Sequence, residues 1–128
     1  MIRLKSKLPL LGAAVVLSAC AFAAPSRVNQ SFYTEIGSAT FSPRAIVDME
    51  KCVYFAFFDN RFGEFQVRRE ETHTGKRVNM VAGTYDLVSA DVEADGSLKI
   101  FKYYSAPSFP WVKRVIASSL DCASINAK

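Results

Sequence analysis

The chain has 128 residues, half of them hydrophobic and 22% charged, with a formal net charge of +4. That length fits one small domain with a core of its own. Three of the 16 Lys and Arg (Arg3, Lys5 and Lys7) fall in the first seven residues with no acid among them, which leaves 13 bases against 12 acids in the rest; a nucleic-acid partner, which requires a clustered basic face, therefore has no electrostatic support.

Behind this basic leader, residues 8–17 form ten positions without a charge. A membrane-spanning helix needs about 20 apolar residues, so the stretch is too short to span and has the tripartite form of a secretory signal. It ends in Leu17-Ser18-Ala19-Cys20, which resembles the lipobox of bacterial lipoprotein signals. The resemblance covers only about the first 20 residues. It implies removal of residues 1–19 and acylation of Cys20, palmitate included, as the new first residue. One acyl chain holds a protein only weakly and durable attachment takes two or more, which this class carries. Ala21 follows the cysteine where an inner-membrane retention signal of enteric-type bacteria would have Asp, which points to the outer membrane, facing the periplasm or the surface. A second reading cuts after Ala21-Phe22-Ala23, discards Cys20 and yields a soluble periplasmic or secreted protein.

Residues 20–29 are small and weakly patterned, as in a short lipidated tether. A single globular domain is expected over 30–128. Residues 30–41, broken by Gly37, carry one or two short strands. Ser42-Pro43 opens a short helix over 44–51. Residues 52–58, Cys-Val-Tyr-Phe-Ala-Phe-Phe, read as a strand apolar on both sides, hence central and covered twice. Asp59 to Glu64 turns. In residues 65–74, Phe65 and Val67 point inward, with Gln66, Arg68 and Glu70 to water. After a turn at Thr74-Gly75-Lys76, residues 77–82 place Val78 and Met80 on one side. Residues 84–92 fit a strand better than a helix, because Ala94-Asp95-Gly96-Ser97 has hairpin-turn chemistry; residues 98–104 supply the second arm. Residues 105–110 are irregular, and 111–122 fit either a helix starting near Ser108 and Pro110 or a closing strand. The expected class is mainly β: a small antiparallel barrel or sandwich with one short helix, or alternatively an α+β four-stranded meander covered by two helices.

Cys52 and Cys122 form an even pair in an exported chain and predict a disulfide. The single histidine, His73, sits beside Glu70 and Glu71 near a turn, without the three or four clustered ligands that a metal needs and without a nucleophile elbow. No phosphate-cradling glycine loop occurs. Asp91, Glu93 and Asp95 alternate as an acidic hairpin edge that discourages sheet stacking. Arg68, Arg69, Glu70 and Glu71, with Lys76 and Arg77, read as cross-strand charge pairs on a wet face. No catalytic role and no cofactor is expected.

Residues 103–111 concentrate Tyr103, Tyr104, Phe109 and Trp111 between prolines, and with Phe62 they form the candidate contact surface, because aromatic side chains offer large area at small entropic cost. The expected function is a lipid-anchored envelope protein acting as a non-catalytic protein-binding module on an unidentified envelope protein, with an inhibitor or immunity protein against a cell-wall hydrolase as one form. The alternative is a structural or assembly accessory of an outer-membrane or secretion complex.

Overall fold

The computed structural model describes residues 30–103 and 106–128. The signal, Cys20, the 20–29 tether and Tyr104 lie outside the described residues. Five strands form one antiparallel sheet: β1 (Tyr33–Thr40), β2 (Gln66–Glu71), β3 (Gly75–Ala82), β4 (Tyr85–Glu93) and β5 (Ser97–Tyr103), in the spatial order β1-β5-β4-β3-β2. Two helices, α1 (Ile46–Asp59) and α2 (Pro110–Ile125), complete the fold. Strand is the larger class at 39% against 37% helix among the described residues. The mainly β, antiparallel expectation holds. The arrangement is the meander under two helices, with β1 added as a fifth strand at its edge.

Period-two patterning builds the sheet. Val78 and Met80 on β3, Val88, Ala90 and Val92 on β4, and Leu98 and Ile100 on β5 are all buried in one core with both helices. The intervening residues face the other side. The β4–β5 turn closes at Gly96, whose φ of +93° is in the left-handed region. A Cβ there would lie 2.5 Å from the Phe41 carbonyl oxygen, the close approach that lets Phe41 donate its N–H to Gly96 at 2.8 Å.

The segment 52–58 departs from the doubly covered strand expected there. It belongs to α1, not to a strand. A 3-10 turn at Pro43–Ala45 leads directly into the helix, and no Gly or Pro interrupts 46–59. Met49, Val53, Ala56 and Phe57 then recur at helical spacing and are buried. In α2, Pro110 occupies the first turn, where its missing N–H costs nothing. Trp111, Val112, Val115 and Cys122 turn into the core. Cys52 and Cys122 are joined, with Cα atoms 5.8 Å apart, and so tie α1 to α2. Closing a loop across 70 positions stabilises the fold by about 4 kcal/mol on the chain-entropy account. A second tie runs from the edge of the sheet: Arg69 on β2 donates to both carboxylate oxygens of Glu50 on α1, at 3.0 and 2.9 Å. That bond, and the Glu50 charge, raise the Arg69 pKa above its ordinary value.

Candidate functional site: an aromatic end and an outward helix stripe

One end of the molecule collects the end of α1, the start of α2, the β3–β4 turn and the end of β5. A bulge shapes it. Met80 pairs with Val88 but Val81 pairs with Asp86, so Leu87 is an extra residue on β4. As a result Leu87 and Val88 both line the helix side, in a cavity of about 250 Å³, while Asp86 stays on the far face and accepts from Arg68 at 3.0 Å.

Trp111 is the hub of this end. Its ring lies 6.4 Å from Phe62, 5.9 Å from Phe65 and 6.4 Å from Phe109. With Leu87 these residues enclose a second cavity of about 220 Å³. Tyr103 and Tyr85 continue the first cavity with their rings 5.5 Å apart. Phe32 and Tyr33 pack on Tyr103 at 6.5 and 5.8 Å. The structure therefore brings Phe62 together with Tyr103, Phe109 and Trp111 of the 103–111 stretch in one surface. Their parts differ: Trp111 is buried beneath it, whereas Phe62, Phe109 and Tyr85 remain about half exposed. Lys102 also lines the cavity, and its ammonium donates to the carbonyl of Ala106.

A second apolar surface adjoins the first. On α1, Val47 (66% exposed), Phe55 (48%) and Phe58 (38%) face away from the sheet. Tyr54 joins them, its ring stacked 6.0 Å from Phe58 and 5.4 Å edge-on from Phe55. The Arg61 guanidinium sits 3.8 Å above Phe58, and that of Arg69 sits 5.0 Å above Tyr54, which are cation–π contacts. Reading 52–58 as a doubly covered strand hides this stripe. The signal that reveals it is the helix start at Ser42-Pro43: continued at 3.6 residues per turn, it puts 47, 54, 55 and 58 opposite 49, 53, 56 and 57.

The polar candidates take other places. His73 is exposed on the turn between β2 and β3, and no group of three or more metal-ligating side chains forms among the described residues. Asp91 is not on an acidic edge. It lies on β4, inside the sheet, nearly buried, and accepts from Arg77 at 2.7 Å. Asp95 is in the β4–β5 turn, where the Ser97 hydroxyl and backbone N–H hold its carboxyl below the usual carboxylate range. Of the expected charge pairs, Glu71 and Lys76 do meet across β2 and β3, at 2.5 Å. Arg68 and Arg77 instead reach to β4, to Asp86 and Asp91. Between them Asn79 donates to Glu70 at 2.6 Å and accepts from Ser89 at 2.8 Å. Comparison of the chain with protein-family models, with curated proteins and with solved structures finds no match.

Proposed function

We propose that the protein is anchored in the cell envelope through acylated Cys20 and that its folded part is a non-catalytic protein-binding module. The observation that carries the binding role is the outward stripe of α1. A helix that packs one side on a core normally turns charged and polar residues to water on the other, but on α1 Asp48, Lys51 and Asp59 share the outward side with large apolar side chains. The sheet and α2 cover one side of α1, while Val47, Phe55 and Phe58 stand exposed on the other. Exposed apolar patches of this kind mark interaction sites, and rings with few rotatable bonds make economical anchors.

Photo-reactive residues placed singly at Val47, Phe55 and Phe58 test the reading in intact cells. All three should trap one and the same envelope protein, and a probe at Lys99, exposed on the face of the sheet away from the helices, should not. Phe55→Asp should abolish the adduct formed from position 58. Equal trapping from Lys99, or none from the stripe, would overturn the proposal. A cell-wall hydrolase as the trapped protein would identify an inhibitor or immunity protein, whereas a component of a large complex would identify an assembly accessory. The intact mass of the mature chain tests the anchor separately: a first residue at Cys20 with added acyl mass supports it, and one at Ala24 supports the soluble periplasmic form.

A further inference from the structure

We infer that the aromatic end of the domain, with Phe62, Tyr85 and Phe109 at its surface, docks into the lipid–water interface of the membrane that holds the anchor. The inference rests on the anchor reading and concerns a surface distinct from the α1 stripe.

Gln30–Phe32 forms a 3-10 turn, and Phe32 and Tyr33 both pack on Tyr103, which lines the aromatic cavity with Tyr85 and Phe109. The chain thus enters the fold at the aromatic end. From an acylated Cys20 to Gln30 there are only ten residue steps. Fully extended they reach about 35 Å, and as a flexible chain roughly 18 Å on average. A domain of this size is roughly 30 Å across. The tether is too short, on average, to let the domain turn its aromatic end away from the bilayer.

The chemistry of that end suits the position. Tyr and Trp, with an apolar body and a polar tip, concentrate at membrane interfaces. Phe62, Tyr85 and Phe109 are exposed with Trp111 behind them. Lys102 lines the first cavity, Arg61 precedes Phe62, and Lys113 and Arg114 lie exposed in the first turns of α2, against Asp59, Glu64 and the Arg68-paired Asp86 at this end. The balance favours an anionic lipid surface. The opposite end, built from the Asp95–Gly96 turn and the N-terminal side of α1, carries no comparable cluster of rings among the described residues.

Trp111 is the only tryptophan of the chain and reports on this contact directly. The full acylated protein is placed in protein-free vesicles of phosphatidylethanolamine and phosphatidylglycerol, with and without brominated acyl chains. Docking predicts that brominated lipid lowers Trp111 emission by about twofold or more, since interfacial rings sit within roughly 5–10 Å of the acyl boundary. The double variant Phe62→Ser and Phe109→Ser should lose most of that quenching while keeping its anchor and its disulfide. Unchanged emission from anchored protein overturns the inference and leaves the anchor reading intact. Shielding of Trp111 that appears in native membranes but not in protein-free vesicles also overturns it, by making this end a protein site. An unacylated chain starting at Ala24 removes the anchor reading and this inference together.

Discussion

On the helix side of the sheet, Val78, Met80, Val88, Ala90 and Val92 meet Val53 and Phe57 in an apolar core. On the other side, at the neighbouring positions of the same strands, Arg77, Asn79, Ser89 and Asp91 are bonded to one another or to charges nearby. Asn79 and Ser89 are as fully buried as Val78 and Val88. Equal burial therefore does not mean equal energetics. Apolar burial stabilises in proportion to area. Burial of polar groups only avoids a penalty when every group finds a partner, so the polar face contributes register and uniqueness more than net stability.

The largest effect that separates the faces should come from Phe57→Ala. Phe57 is fully buried, and its truncation should cost near the top of the ~3–5 kcal/mol range for a core aromatic, read from the shift of the guanidinium unfolding midpoint with the disulfide oxidised. Replacing both Cys52 and Cys122 by Ala should cost about 4 kcal/mol, measured in the same way; a loss below about 1 kcal/mol would show that the helix layer holds without its covalent tie. On the polar face, Asp91→Ala strands the Arg77 guanidinium and should cost about 2–3 kcal/mol, less than a fully enclosed pair because Arg77 keeps 19% exposure. The combination Arg77→Met with Asp91→Leu should recover most of that loss. A double variant as unstable as Asp91→Ala would show that the polar face contributes to stability outright and would break the comparison. The smallest effect concerns Asp95. Its depressed pKa means that its contribution is present above the ordinary carboxylate pKa and disappears as pH falls through the lower, folded value. An NMR titration should find Asp95 below the ordinary value, and Ser97→Ala should bring it back up.

Much of the sheet was legible in the residues themselves. The alternation of Val78 and Met80, the turn chemistry of Asp95-Gly96 and the inward Val67 all describe the observed strands, because each depends on local geometry. The run from Cys52 to Phe58 was not legible as a helix. Seven apolar residues fit a doubly buried strand as well as a helix until the start of the segment is taken into account, and only the helical phase set at Pro43 separates the two. The aromatic end was legible in part. Tyr103, Phe109 and Trp111 announce themselves by crowding, but Tyr85 and Leu87 join them through a bulge that no single-strand pattern encodes. The partner of Arg68 was equally hidden. Cross-strand register offers Asn79 as its neighbour on β3, whereas its guanidinium reaches to Asp86 on β4; Arg77, by contrast, bonds to Asp91 directly opposite it on β4.

The disulfide and the edge strand share a span. Cys52 waits 70 positions for Cys122, and Tyr33 waits equally long for Tyr103. The hairpins of β2 to β5 close over short loops, which form early, while contacts between remote positions come late. As the chain is made from its N-terminus, the Cys52 thiol therefore emerges well ahead of its mate. Assembly would have to shelter that sulfur until the final helix arrives, so the order of emergence, rather than the strength of any contact, sets the most vulnerable moment of this fold.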